Sequence, residues 1–286
     1  MTLKLNKDMR LMNRDELAFH FAARGSKRIK LQPLMRAAIL QVHARIQAGD
    51  EDPVWGNIRT VWYRYIKPIL SHMHDDDVLK SDPYKIMTRA FADLVKRGDV
   101  RYMDFGLVDE NWENRRIGNR HPHIIVFSEK AGWVYFLRQI HEKHSVTTLA
   151  LGGLPSALTS EYTATHVLEA LGPARTDDVV HLIGVVDWDP AGDVVARSFR
   201  QQLVRSGIKN TTLETVIHPR HYSDDALDMF GFDLPRRTPT RNRDWVAKTG
   251  GVRGEEAGLE AESMPMQTVA HLVDTAIAQY IADDDQ

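Results

Sequence analysis

Two aspartates, Asp187 and Asp189, end an apolar run in VVHLIGVVDWDPAGDVVARSF (179–199). The run has the composition of a buried strand, and Pro190-Ala191-Gly192 turns the chain towards a helix. Carboxylates held this close repel unless a cation lies between them, which points to a divalent metal. A third acid, Glu129, ends the earlier run HIIVFSE (123–129), and Gly152-Gly153 ends VTTLALGG (146–153). In a parallel α/β sheet the functional edge is the C-terminal end of the strands. If the first and third strands are neighbours, Glu129, Asp187 and Asp189 converge on one spot. Three acids with no histidine or cysteine close by suit a hard, oxygen-preferring ion, Mg²⁺ or Mn²⁺ before zinc. Such an ion polarises a phosphoryl oxygen and stabilises the charge that develops in phosphodiester cleavage. Taken singly, each acid is better read as a helix cap or strand-end residue, Asp189 above all; taken together they favour a metal.

The elements that must position these acids change character along the chain. From His123 onward, apolar strand-like runs alternate with helical ones: KAGWVYFLRQIHEKH and PSALTSEYTATHVLEAL after the first two strands, DVVARSFRQQLVRSG after the third, then TTLETVIHP as a fourth strand. This alternation predicts an α/β domain with a parallel sheet. RRTPTRNRDWVAKTGGVRG (236–254) is basic and rich in turn formers, which predicts a loop, and a final helix is expected over 266–282. Before His123 the periodicity is helical. Leu34, Ala38, Val42 and Ile46 share one face of 32–48, and Ile58, Val61, Tyr65 and Ile69 one face of 56–73, which Pro68 should kink or shorten. Ser81 or Asp82 caps a third helix that closes at Gly98, and DVRYMDFGLVDE (99–110) reads as a β-ribbon. Three helices and a ribbon are the order of a winged helix, a fold that binds DNA or proteins.

Composition narrows the class further. Of 286 residues, 43% are hydrophobic and 27% charged, enough apolar material for a real core. The absence of cysteine excludes disulfides and cysteine-based zinc sites and fits a reducing cytoplasm. No apolar run approaches the roughly 18 residues of a membrane helix, and MTLKLNKDMRLMNRDELAFHF lacks the apolar centre of a secretory signal. The net charge of −2 hides an asymmetry. Residues 1–128 hold 22 basic against 16 acidic residues, and the remainder 15 against 23. A basic front and an acidic back fit a polyanion-binding module joined to a metal-binding one. Neither G-x-G-x-x-G after the first strand nor G-x-x-x-x-G-K-[ST] is present, so dinucleotide and P-loop chemistry lack their phosphate cradle. The histidines, His72, His74, His121 and His123 among them, read as surface or linker residues.

A glutamate ending one strand (VFSEKAG), a glycine turn after the next (GGLP) and D-x-D-P-x-G after the third (VVDWDPAG) resemble a Toprim domain. The version is similar to that of the topoisomerase VI A subunit and its meiotic double-strand-break relatives, down to the compact stand-alone A-like proteins called Mini-A. The resemblance covers about residues 57–282. It implies a winged-helix (CAP-like) domain over 1–120 with an N-terminal helical extension, and a Rossmann-like Toprim domain over 121–286. It also implies that Glu129, Asp187 and Asp189 hold Mg²⁺, with Glu260 and Glu262 of GLEAESMP (258–265) as neighbours.

In that family a catalytic tyrosine lies in the winged helix, in a motif of the form R-[DE]-[IL]-[YF]-Y. Here the chain reads Arg59-Thr60-Val61-Trp62-Tyr63, with Thr60 in place of the acid and Trp62 in place of tyrosine or phenylalanine. A phenol, with its pKa of about 10, needs a cation or base to become a nucleophile at neutral pH, and Arg59 lies one helical turn away. Tyr65 is a competing candidate, and Tyr63 is alternatively a packed aromatic. The resemblance implies a homodimer in which one subunit's tyrosine meets the other's metal site, double-stranded DNA as substrate and a cytoplasmic, nucleoid-associated location. Strand passage would need a GHKL-type ATPase B subunit, because no ATP-binding motif is visible. The expected function is thus DNA cleavage by tyrosine transesterification, as in a type IIB topoisomerase. The alternatives are a Toprim nuclease that hydrolyses DNA with water, as in plasmid defence, and a non-catalytic DNA-binding protein.

Overall fold

The computed structural model of the chain describes residues 7–26, 28–73 and 82–284. The chain divides into two compact units, Met1–Asp109 and Glu110–Gln286.

The first unit is helical. Helix α1 (Arg14–Phe21) opens on a capping box, in which Asn13 and Glu16 satisfy each other's backbone amides, and turns Leu17 and Phe21 inward. Helix α2 (Leu31–Ala48) packs Leu34, Met35, Ala38 and Ile39 against Met87, Phe91 and Leu94 of α4 (Pro83–Lys96). Asp82 caps α4 by accepting from the Lys85 amide, with Pro83 in its first turn; Ser81 and His74 lie outside the described residues. Between them runs α3, residues 58–70. Pro68 neither ends this helix nor leaves it regular. Proline lacks an N–H and its ring crowds the carbonyl four residues earlier. The helix widens into a π-turn at Trp62–Ile66, where the Lys67 amide reaches the Trp62 carbonyl five residues back, and α-geometry resumes at Lys67–Leu70.

The expected β-ribbon over 99–110 is absent from the described residues. Val100, Tyr102, Phe105 and Leu107 are all buried, and the extra residue between Tyr102 and Phe105 breaks strand alternation into a 3₁₀ turn, Met103–Phe105. The segment instead pairs briefly with 54–56, through Val54 N–H to the Phe105 carbonyl (2.8 Å) and Val108 N–H to that of Gly56 (2.7 Å).

The second unit is mixed α/β. Its five-stranded sheet comprises β1 (Arg115–Arg116), β2 (His121–Ser128), β3 (Val146–Ala150), β4 (Val179–Val185) and β5 (Asn210–Thr215), in spatial order β1-β3-β2-β4-β5. All pairings are parallel except that of the short edge strand β1 with β3. Alternate residues of β2 point to opposite faces, as the pleat requires. Ile124 and Val126 meet helices α5 (Val134–His144) and α10 (Met266–Asp284) on one side. Ile125 and Phe127 meet α6 (Ala157–Leu171) and α7 (Pro190–Arg205) on the other.

Two sequence expectations fail here. His123 is neither surface nor linker: β2 begins at His121 and carries His123 into the sheet at 2% exposure. The basic stretch 236–254 is not a loop, because Pro239–Thr249 forms helix α9, anchored by buried Trp245 and Asn242. Its turn formers mark the helix ends: Pro239 opens the first turn and Gly250, at φ 85°, closes the last. A short helix α8 (Asp224–Phe230) and an antiparallel pair, β6 (Gly231–Asp233) with β7 (Ala257–Leu259), complete the unit.

Candidate active site

The strand order answers the question that the acids raise. From β2 the chain moves to β3 on one side, while from β4 it moves to β5 on the other, so β2 and β4 flank the switch point of the sheet. Open α/β sheets bind ligands in the crevice at this point. Ser128 lies opposite Val185 in the last register of the pair. Glu129 follows one residue beyond β2, and Asp187 two beyond β4.

Each acid is held differently. Asp187 has 12% of its side chain exposed; its Oδ1 accepts from the Ala261 amide at 2.9 Å and its Oδ2 lies 3.0 Å from Lys130 Nζ. Asp189 caps α7, its Oδ1 accepting from the Gly192 amide at 2.6 Å. Gly192 is required by close approach, since a Cβ there would lie 2.1 Å from the Asp187 carbonyl oxygen. Glu129 Oε2 is buried and has no hydrogen-bond donor among the described residues. Burial raises the Glu129 proton affinity, the Asp187 and Asp189 charges add to it, and Lys130 offsets part of the rise. Burial alone would depress the Lys130 ammonium, but the Asp187 hydrogen bond and the surrounding acids hold it above its usual value.

The second wall of the site comes from the segment that contains Glu260 and Glu262. Trp188 and Leu259 exchange two backbone hydrogen bonds (2.8 and 3.1 Å), which lay β7 along the Asp187–Asp189 turn. Gly258 permits that approach, since a Cβ there would meet the Trp188 carbonyl at 2.8 Å. Glu260 Oε1 is 3.9 Å from Lys130 Nζ, and the charge of Glu262 also acts on that ammonium. The Trp188 ring packs between His218 (4.2 Å) and Trp245 (5.4 Å), and its Nε1 donates to the Gly251 carbonyl at 2.9 Å. Among the described residues no group of three or more histidine and acidic side chains forms a ready-made metal cage. The donors are nonetheless all oxygens, and one of them, Glu129 Oε2, is buried without a partner. That chemistry suits a hard divalent ion.

In the first unit the π-turn separates the two tyrosines. Tyr65 is fully buried and donates to the Asp52 carbonyl at 3.1 Å, and burial, with the nearby Glu51, raises its pKa. Tyr63 is 54% exposed, with the Lys67 ammonium 5.2 Å from its ring centre and Arg59 exposed one turn before it. Its hydroxyl makes no hydrogen bond among the described residues. Lys130, Trp188 and His218 carried no role in the sequence reading. Two signals were there to be read, Lys130's place beside Glu129 and His218's at the end of a strand. No protein-family model matches the chain, and no curated protein matches it in sequence.

Proposed function

We propose that the chain is a Mg²⁺-dependent DNA-cleaving transesterase of the topoisomerase VI A-subunit kind, acting as a homodimer, with Tyr63 as nucleophile. The observation that supports this reading is that Glu129 and Asp187 follow the ends of the adjacent strands β2 and β4, with the charges of Asp187 and Asp189 acting on Glu129 and Glu129 Oε2 buried without a partner among the described residues. Glu129, Asp187 and Asp189 are the proposed ligands; once bound, Mg²⁺ or Mn²⁺ would supply positive charge to the phosphoryl oxygens. The winged-helix and Toprim identities of the two units belong to the same proposal.

In this reading Tyr63 Oη attacks a backbone phosphorus. The new bond is a 5′-phosphotyrosyl ester, the bond to O3′ breaks, and O3′ leaves as a hydroxyl carrying the equivalent of the phenolic proton. Lys67, its ammonium 5.2 Å from the Tyr63 ring centre, and exposed Arg59 one turn earlier put positive charge on this surface, which would draw in the phosphodiester. A GHKL-type ATPase partner would couple such cleavage to strand passage.

A hydrolytic nuclease is the second reading, and one observation favours it. A buried carboxyl with raised proton affinity, such as Glu129, is suited to take a proton from water. A denaturing trap separates the two. The protein is incubated with supercoiled and linear DNA plus Mg²⁺ or Mn²⁺, quenched with detergent, and examined for protein on 5′ ends. An adduct lost in both Tyr63→Phe and Asp187→Ala supports transesterification. Free ends that persist in Tyr63→Phe support hydrolysis. Salt-sensitive binding without cleavage under either metal supports a non-catalytic DNA-binding protein.

A further inference from the structure

Asp187 has one oxygen anchored and one engaged by a side chain. Oδ1 accepts from the Ala261 amide, so the backbone fixes the carboxylate; Oδ2, the oxygen left to face a ligand, is held by Lys130 Nζ at 3.0 Å. The same ammonium lies 3.9 Å from Glu260 and within the fields of Glu129 and Glu262. Four carboxylates thus converge on one internal cation. The Lys130 amide donates to Ser128 Oγ at 3.1 Å, which pins the main chain and leaves the four-carbon stem free to carry the charge elsewhere. With 24% of the side chain exposed, the ammonium has a route to solvent.

We propose that Lys130 is the resident cation of the acidic site, and that a divalent metal binds only by displacing its ammonium from Asp187. The inference rests on the metal reading above. A divalent ion on Asp187 Oδ2 and an ammonium on the same oxygen repel strongly where water is scarce, so the two states exclude each other. Without metal, Lys130 holds the acids together against their mutual repulsion. With metal, the released ammonium stays tethered one residue from Glu129, where it can meet a phosphate oxygen of the substrate. Lys130 is therefore a positioning residue that ties anion contact to metal loading.

The test is Mn²⁺ binding to the full-length protein, read from the loss of the free-ion electron paramagnetic resonance signal. Lys130→Met, which keeps the stem and removes the charge, is expected to bind Mn²⁺ about tenfold more tightly than the wild type, while Lys130→Arg does not. A second measurement needs no variant: acetylation of Lys130 by acetic anhydride, followed by peptide mass spectrometry, should speed up severalfold when Mn²⁺ is saturating. Equal Mn²⁺ affinity in wild type and Lys130→Met, with acetylation indifferent to the metal, overturns the inference and leaves the metal reading standing. Binding by Lys130→Met alone supports it in its strongest form. Failure of both proteins to bind Mn²⁺ overturns the metal reading and the inference together.

Discussion

The Ala261 amide donates to Asp187 Oδ1 at 2.9 Å, joining residues 74 positions apart. Together with the paired hydrogen bonds between Trp188 and Leu259, it makes GLEAES a structural wall of the acidic site as well as a source of further carboxylates. One carboxylate oxygen is fixed by main-chain geometry, while the other is engaged by the Lys130 side chain. That degree of preorganisation is what a site for a hard ion requires.

Asp189 combines a structural and a proposed metal role, which two substitutions separate. Asn keeps the oxygen that accepts from Gly192, so Asp189→Asn should hold thermal stability near that of the wild type while weakening Mn²⁺ binding. Asp189→Ala loses the cap as well and should cost about 1 kcal/mol in denaturant unfolding. Equal stability of the two variants would show that the cap contributes nothing.

Gly192→Ala should be disruptive, because Gly192 is buried in the first turn of α7. The added carbon would fall 2.1 Å from the Asp187 carbonyl, so the turn between β4 and α7 must open. A loss of roughly 2 kcal/mol or more is expected, together with reduced metal binding. An alanine variant of wild-type stability would contradict the close approach.

The two tyrosines should answer differently to loss of the hydroxyl. Tyr65→Phe removes the hydrogen bond from the buried tyrosine to the Asp52 carbonyl and should lower stability by about 1 kcal/mol, measured by urea unfolding. Tyr63→Phe, at an exposed residue whose hydroxyl has no hydrogen-bond partner among the described residues, should leave stability unchanged while abolishing any covalent DNA adduct. The reverse pattern would move the candidate nucleophile away from Tyr63.

Glu129 should make the metal-free protein less stable as pH rises. Burial first, and the Asp187 charge second, raise its folded-state pKa above the ordinary 4.5, so the folded chain holds this proton more tightly than the unfolded chain. Stability therefore falls as pH climbs from about 4.5 through the raised value and is level above it. With chelator at neutral pH, Glu129→Gln should melt at a higher temperature than the wild type, and saturating Mn²⁺ should stabilise the wild type far more than the variant. A variant that melts lower in chelator would show that the ionised carboxylate is well accommodated without metal.

Much of the second unit could be read locally. Apolar runs of strand length and helical periodicity are patterns complete within a few residues, and they placed Glu129, Asp187 and Asp189 at strand ends. Local reading failed where tertiary burial overrode residue type. His123 looks polar but lies inside β2, and the turn formers of 236–254 bound a helix whose Trp245 is buried. It failed again at 99–110, where four buried side chains with one extra residue between them fold as a turn and not as a ribbon.

In the second unit the sequence by itself determined the main strands and helices up to β5, their order and the acids available at their ends, because these follow from short-range periodicity and capping. Only the tertiary structure decided that β2 and β4 are neighbours, that Ala261 and Lys130 share Asp187 between them, and that Tyr63 faces solvent while Tyr65 is sealed in. The reason is physical: strand order and side-chain partners are set by burying both faces of the sheet at once. That condition couples residues far apart in the chain and leaves no local trace in any one segment.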